Sequence, residues 1–168
     1  MLNKKNLNKY VLSIIDIKED ELKKTLLLLS TLLTTPVMAN TVFEKPADAI
    51  EYRQAAFSMI RVQISDMGDM LKGAVPFEAE RFKMRANNAA ALSKMPWEAF
   101  APGTDQGETS ALATVWSQND EFMKKAVAFQ GYADKLAVAA QSGDQAVIGK
   151  AFGDWAKGCK DCHKTFKD

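Results

Sequence analysis

Apolar side chains recur every three to four residues along most of the chain after residue 46, which is the spacing of one face of an α-helix. The first such stretch runs from about Ala47 to Lys72; Pro46 precedes it and Gly73 follows it, as is typical of the two ends of a helix. Its stripe contains an arginine among apolar residues: Ile50, Arg53, Phe57, Ile60, Ile64, Met67 and Leu71. The pattern predicts a long first helix with one buried face.

A second helix is predicted from about Pro76 to Lys94, before Pro96. One face of it carries small and aromatic residues: Ala79, Phe82, Ala86, Ala89 and Ser93. The sequence then loses its periodicity over "PWEAFAPGTDQGETSALATVW", which is rich in Pro, Gly and Thr. A loop of that length in a small domain is usually functional.

Two more helices complete the pattern. The third is expected to begin near Ser117, which forms a sequence typical of a capping box with Asp120. Its stripe is Phe122, Ala126, Phe129, Ala133, Leu136 and Ala140. The turn "SGD" then predicts that Asp144 is the N-cap of the fourth helix. The stripe of that helix is Ile148, Phe152, Trp155, Cys159, Cys162 and Phe166. With no strand alternation, the sequence predicts an all-α, antiparallel up-down-up-down four-helix bundle.

Length and composition fit one globular domain without a nucleic-acid or membrane-spanning part. The chain has 168 residues, an apolar fraction of 47% and a formal net charge of +1. A charge this small does not provide the basic surface that nucleic-acid binding requires. A membrane-spanning helix needs about 20 consecutive apolar residues, and no run of that length occurs.

The first 39 residues have the features of a secretory signal peptide with an N-terminal extension. In residues 22–39, Lys23 and Lys24 precede an apolar stretch from Leu26 to Leu33, and the segment ends in "PVMA". We expect cleavage after Ala39 and export to the periplasm, with residues 40–168 forming the four-helix domain. The acidic residues in 1–21 are unusual before a signal peptide, and translation starting at Leu22 would explain them.

The only histidine and both cysteines of the chain lie together in "CKDCH", Cys159 to His163. A structural zinc site needs four such ligands, and only three are present. A redox dithiol of the thioredoxin type belongs to a βαβ pattern, which this sequence lacks. A simple disulfide leaves the histidine without a role.

Covalent attachment of haem c uses all three residues. Two thiols three residues apart on one helix face suit thioether bonds to the two vinyl groups along one haem edge, and the histidine that follows suits an axial iron ligand. Export also fits, because bacteria attach c-type haem after export. We therefore favour one haem c per chain, attached through Cys159 and Cys162 and bound axially by His163.

The position of this motif at the end of the last helix resembles the cytochrome c′ family. "EKPADAIEYRQAAF" is similar to the opening helix of that family, "MPWEAFAPGT" to the loop after its second helix, and "AFGDWAKGCKDCHKTFK" to its haem-binding end. The resemblance implies a covalently bound haem within the bundle. It also implies that Arg53 and Gln54 lie beside the haem, with Arg53 near a propionate.

Three further residues are assigned by the same resemblance. Lys167, four residues after His163, matches a basic position on the proximal side of the haem. Glu108 and Thr109 are expected haem neighbours in a loop that is slightly longer than the family pattern.

The residue on the other side of the iron decides between two functions. Related six-coordinate cytochromes have a methionine four residues after the arginine of the first helix, and Phe57 occupies that position here. Phenylalanine cannot bind iron, and Met59 is about 200° further around the helix. We therefore expect a five-coordinate, high-spin haem that binds nitric oxide and carbon monoxide; the alternative is a six-coordinate electron carrier with an unidentified redox partner.

Two last expectations concern catalysis and assembly. No nucleophile–base set is visible, so the chain is not expected to be an enzyme. Relatives associate through their first two helices, and Val62 and Met70 are predicted to face outward from the first helix. We therefore expect a homodimer.

Overall fold

The computed structural model describes residues 42–168, which form a helical bundle as predicted. The four long helices are α1 (Pro46–Leu71), α2 (Ala79–Leu92), α3 (Asn119–Ala140) and α4 (Gln145–Phe166). Between α2 and α3 lie a 3-10 helix, Pro96–Ala99, and one helical turn, Thr114–Ser117. The predicted signal peptide, residues 1–39, lies outside the described residues.

Each helix packs on the next one in sequence, α1 on α2, α2 on α3 and α3 on α4. By contrast, α1 and α4 approach each other closely over only a short stretch. One contact between them is at Gly68, where a Cβ atom would lie 3.4 Å from Cζ of Phe152. Short connections join α1 to α2 and α3 to α4, so the two helices of each of these pairs run antiparallel, as the sequence predicted.

The interior contains two apolar clusters. The first, here called the central core, runs along the bundle and includes the fully buried Met67, Phe82, Leu136 and Trp155. The second, the end cluster, consists of Val115, Phe122 and Phe166 with partly buried neighbours around them. No helix within residues 42–168 combines the length and apolar character needed to cross a membrane.

The helix ends agree with the predictions at α4 and differ at α3. The Asp144 carboxylate accepts hydrogen bonds from the backbone N–H groups of Ala146 and Val147, at 2.8 and 3.3 Å, and so caps α4 as expected. The capping box predicted at Ser117 is wrong. Ser117 ends the preceding helical turn, and α3 begins at Asn119, where no side chain caps the first turn.

Two burial predictions are also wrong. Met70 was expected to face outward, but only 3% of it is exposed, because it lies one turn after Met67 and packs into the central core. Ala79 was expected on the buried face of α2, but it is the first residue of that helix and is exposed. Val62 is 54% exposed, as predicted.

Candidate functional site

Both cysteines lie on the inward face near the C-terminal end of α4, and they are free thiols. Cys159 packs against the central core, whereas Cys162 packs against the end cluster. Burial raises the pKa of the Cys159 thiol to about 11, and burial also raises the pKa of Cys162. Both side chains are therefore protonated at neutral pH and lie where the two apolar clusters meet.

Helix α4 comes close to α3 directly before the first cysteine. A Cβ atom on Gly158 would lie 3.2 Å from a ring carbon of Tyr132 and 3.5 Å from one of Phe129. The distance of 3.2 Å is shorter than most van der Waals contacts of a Cβ atom, whereas 3.5 Å is an ordinary contact. The absence of a side chain at Gly158 therefore permits the two helices to come this close. The backbone that carries Cys159 is thereby held against the aromatic side of α3.

His163 follows Cys162 directly and is more exposed than the two cysteines. The part of its ring that is buried lowers the pKa of His163, and the positive charge of Lys167 lowers that pKa further. The imidazole is therefore neutral at pH 7, and the neutral form is the one that binds metal ions.

Arg53 is the most unusual buried residue in the structure, since only 2% of it is exposed. Its guanidinium donates four hydrogen bonds to neutral oxygens: to the Ala99 carbonyl at 3.0 Å, to the hydroxyl and carbonyl of Thr104 at 2.9 and 2.8 Å, and to the Thr109 hydroxyl at 2.9 Å. Its Cζ atom also lies 4.5 Å from the ring centre of Phe100.

No carboxylate within residues 42–168 forms an ion pair with this guanidinium. Burial lowers the pKa of Arg53, but arginine remains protonated at neutral pH. The structure thus contains a buried positive charge that is balanced only by dipoles and aromatic rings. Such a group attracts an anion.

The loop between α2 and α3 is held by α1 on one side and by the end of α4 on the other. Gln54 donates a hydrogen bond of 2.7 Å to the Glu108 carbonyl, while the Glu108 side chain is exposed. At the other end, Ala111 pairs with Lys167 in an isolated β-bridge, and the Thr114 hydroxyl donates to the Thr165 carbonyl at 2.7 Å. The loop therefore links the Arg53 region of α1 to the CxxCH end of α4.

Phe57 lies one turn after Arg53 and is partly buried against the central core. Its ring meets that of Trp97 nearly edge-on, with the ring centres 5.8 Å apart, and lies 6.4 Å from Phe100. Met59 is 47% exposed on the other side of α1. The inward position after Arg53 is therefore occupied by a ring without a metal-binding atom.

The structure adds residues that the sequence analysis did not single out. Thr104 is buried and accepts two hydrogen bonds from Arg53, and the indole of Trp116 lies 5.5 Å from the same guanidinium. Their positions depend on the course of the loop, which has no periodicity. The sequence offered one signal: a buried arginine needs several acceptors, and threonines are frequent in that segment.

Comparison with known proteins identifies the family. The sequence profile described as Cytochrome C' matches residues 48–167. The chain is 44% identical over 130 residues to cytochrome c′ of Rubrivivax gelatinosus, with 75% of this chain and 98% of the relative covered.

Solved structures agree with this match. Cytochrome c prime from Shewanella frigidimarina is 54% identical, with a TM-score of 0.74 and coverage of 75% of this chain and 98% of that one. A ferrous variant of cytochrome c prime from Alcaligenes xylosoxidans with bound nitric oxide is 38% identical, with a TM-score of 0.71 and the same coverage. The chain belongs to the cytochrome c′ family, which binds haem c.

Proposed function

We propose that this protein is an exported c-type haem protein with a five-coordinate, high-spin iron that binds nitric oxide and carbon monoxide. In this proposal Cys159 and Cys162 form the thioether bonds, and His163 is the axial iron ligand. The observation that carries the proposal is the arrangement of two free thiols and one neutral imidazole at the end of α4. Phe100 connects this end to the buried Arg53, because its ring packs against the same end cluster as Cys162 and its centre lies 4.5 Å from the guanidinium.

The residues fit a covalently attached haem better than the alternatives. Cys159 and Cys162 are free thiols three residues apart on one helix, a spacing that suits two thioether bonds along one haem edge. Within residues 42–168, no group of three or more His, Cys, Asp and Glu side chains is placed to hold a metal ion by itself. A haem supplies its own four nitrogen ligands, so one histidine is enough to complete the iron site on one side.

Arg53 supports the same proposal because a haem brings carboxylates. A propionate is an anion of the kind that this buried guanidinium lacks. Nη1 and Nη2 already donate four hydrogen bonds, which leaves the Nε–H group for a charge-assisted bond to a carboxylate. Gln54 on α1 donates a hydrogen bond to the Glu108 carbonyl, and Thr109 accepts one from Arg53. We therefore assign Gln54, Glu108 and Thr109 as haem neighbours. Lys167 is assigned to the His163 side, where its charge already acts on the imidazole.

Phe57 determines what the iron can bind on its other face. When bound, the haem iron supplies an open coordination position for a small diatomic gas. We assign Phe57 to this side because it lies one turn from Arg53 and packs with Trp97 and Phe100 into an apolar surface. That surface excludes water and offers no hydrogen-bond donor, which favours nitric oxide over oxygen. The nitric oxide complex of the related Alcaligenes xylosoxidans protein supports this choice.

We also infer periplasmic export and dimerisation through α1 and α2. The signal-like sequence of residues 22–39 supports export. On α1, Met59 and Val62 are 47% and 54% exposed at positions three residues apart, and Met84 on α2 is 49% exposed. Sedimentation that shows only monomer at micromolar concentration would contradict the dimer.

Absorption spectroscopy of the purified, haem-loaded protein tests the main proposal. Five coordination predicts one broad band in the visible region of the ferrous spectrum, which changes on titration with nitric oxide. Sharp, separate α and β bands that nitric oxide does not alter would instead show the six-coordinate electron carrier. Mass spectrometry checks the attachment, because haem bound through both cysteines remains with the chain after denaturation.

A further inference from the structure

A cavity of about 690 Å³ opens at the surface between the 3-10 helix Pro96–Ala99, the loop after it and the start of α3. Cys159, Cys162 and His163 do not contribute to its walls. The cavity therefore does not include the proposed attachment residues, although Trp97 and Phe100 in its wall also belong to the apolar surface assigned to the other face of the iron. Its volume falls within the range of small-molecule sites in proteins, about 300–1,000 Å³.

Three aromatic rings line this cavity, those of Trp97, Phe100 and Trp116. They form a continuous series, since the ring centres of Trp97 and Phe100 are 6.4 Å apart and those of Phe100 and Trp116 are 6.3 Å apart. Both indole N–H groups already donate to backbone carbonyls, that of Trp97 to Ser93 at 2.7 Å and that of Trp116 to Ala101 at 3.1 Å. The rings consequently offer a ligand their aromatic surface rather than a hydrogen-bond donor.

The charged groups in the cavity wall are both acidic, Glu98 and Asp105. Neither carboxylate forms an ion pair with a basic side chain in residues 42–168. A hydrogen bond from Gln106 lowers the pKa of Asp105, so this group is ionised at neutral pH. Burial and the neighbouring Glu98 carboxylate raise the pKa of Tyr52, so its hydroxyl stays protonated beside this glutamate.

We propose that this cavity binds an organic cation of the alkylammonium or arylammonium class. Aromatic faces attract cations through their quadrupole, and two unpaired carboxylates add a negative potential in the same place. A metal ion does not fit, because aromatic rings are not ligands for it and no metal-binding cluster is present within residues 42–168. The proposal rests on the cavity wall, in which Trp97 and Phe100 are shared with the surface assigned to gas binding, whereas Glu98, Asp105 and Trp116 are not.

Arg53 shows that these rings already associate with a cation from inside the protein. Its guanidinium lies 4.5 Å from the ring centre of Phe100 and 5.5 Å from that of Trp116, yet Arg53 is not part of the cavity wall. The positive charge of Arg53 opposes a second cation, whereas the Glu98 and Asp105 carboxylates in the cavity wall attract one. Affinity should therefore depend strongly on these two carboxylates.

Isothermal titration calorimetry of the haem-loaded protein tests this proposal, with choline and benzyltrimethylammonium as probes and 3,3-dimethylbutan-1-ol as the uncharged counterpart of choline. We expect saturable binding of both cations at one site per chain. The alcohol should bind at least about tenfold more weakly, because it has the shape of choline without its charge. Benzyltrimethylammonium should bind more tightly than choline, since the cavity has room for the additional ring.

Variants connect the binding to this cavity. The double substitution Glu98→Gln and Asp105→Asn should weaken choline binding about tenfold or more, whereas Glu80→Gln, which removes an exposed carboxylate on α2 outside the cavity, should leave it unchanged. The haem absorption spectrum should be the same in all of these proteins. No saturable binding of either cation, equal binding of the alcohol, or unaltered affinity in the double variant would overturn the proposal.

Discussion

Replacement of Arg53 tests how the loop between α2 and α3 is held in place. We consider Arg53→Met, which keeps an unbranched apolar chain but removes the charge and all four hydrogen bonds to the loop. Hydrogen bonds to charged groups contribute about 1.5–3 kcal/mol each. The four values do not add up, because one guanidinium donates all of them and its removal also ends the cost of burying a charge.

The fate of the acceptors sets the expected magnitude. The single hydroxyl hydrogen of Thr104 still donates to the Ala101 carbonyl at 2.8 Å and, more weakly, to the Ala99 carbonyl at 3.3 Å. The Thr109 hydroxyl still accepts from the Ala111 backbone N–H at 3.1 Å. The Thr104 carbonyl loses its bond of 2.8 Å to Arg53. We therefore expect the free energy of unfolding to fall by about 2–4 kcal/mol. An unsatisfied Thr104 carbonyl accounts for about 1–3 kcal/mol of this, and the loss of the other three hydrogen bonds from Arg53 accounts for the rest.

Urea unfolding of the haem-loaded protein, followed by circular dichroism, measures this change. Gln54→Ala is the matched control, because it removes one exposed hydrogen bond from the neighbouring position of α1 to the same loop. Its effect should stay below about 1 kcal/mol. If Arg53→Met unfolds within about 0.5 kcal/mol of the parent protein, which is typical of a neutral surface substitution, Arg53 does not hold the loop.

Three further substitutions test the site and the fold. Phe57→Ala should raise carbon monoxide affinity about ten- to a hundredfold, because displacing a packed ring costs about 1–3 kcal/mol; unchanged affinity in a flash-photolysis experiment would place the ring elsewhere. His163→Ala should leave the haem attached but change its spin state, and an unaltered absorption spectrum would exclude His163 as the axial ligand. Asp144→Ala should lower the free energy of unfolding by about 1 kcal/mol through loss of the α4 cap, measured by urea unfolding; an unchanged midpoint would contradict this.

The sequence predicted the four helices because each has an apolar stripe that must be buried, and helical spacing reveals such stripes directly. Helix ends were predicted less well, since Ser117 and Asp120 form a capping pattern that the chain does not use, whereas Asp144 caps as expected. Met70 was misassigned because its burial depends on how far α2 covers α1, and one helix considered alone does not show this.

In the candidate site, too, features formed by residues close in sequence could be predicted, whereas contacts between residues distant in sequence could not. The CxxCH motif is local, so the haem attachment proposed for it could be predicted from residue types and spacing alone. The hydrogen-bond partners of Arg53 lie 46 to 56 residues away in a loop without periodicity. Neither Thr104 nor the ring contact Trp116 could be assigned to Arg53 from the sequence. The sequence placed Arg53 on an apolar stripe and, by family resemblance, near a propionate, but it did not predict that neutral oxygens of this loop would accept its hydrogen bonds.

The same loop forms the link between the two proposed sites. Arg53 holds Ala99 and Thr104 from the inside, and these two residues flank the segment 100–103, which contributes to the outer cavity wall. When Arg53 is replaced by methionine, that segment loses its internal attachment, and Phe100 and Trp116 lose the cation beside their rings.

If loosening of the loop dominates, Arg53→Met should weaken choline binding, and if removal of the opposing charge dominates, it should strengthen choline binding. We expect weaker binding, because a cation site made of ring faces depends on their fixed orientation. Calorimetric titration with choline, without urea and at a temperature where the variant is fully folded, decides between the two. Tighter binding would show that charge repulsion from Arg53 outweighs its structural role.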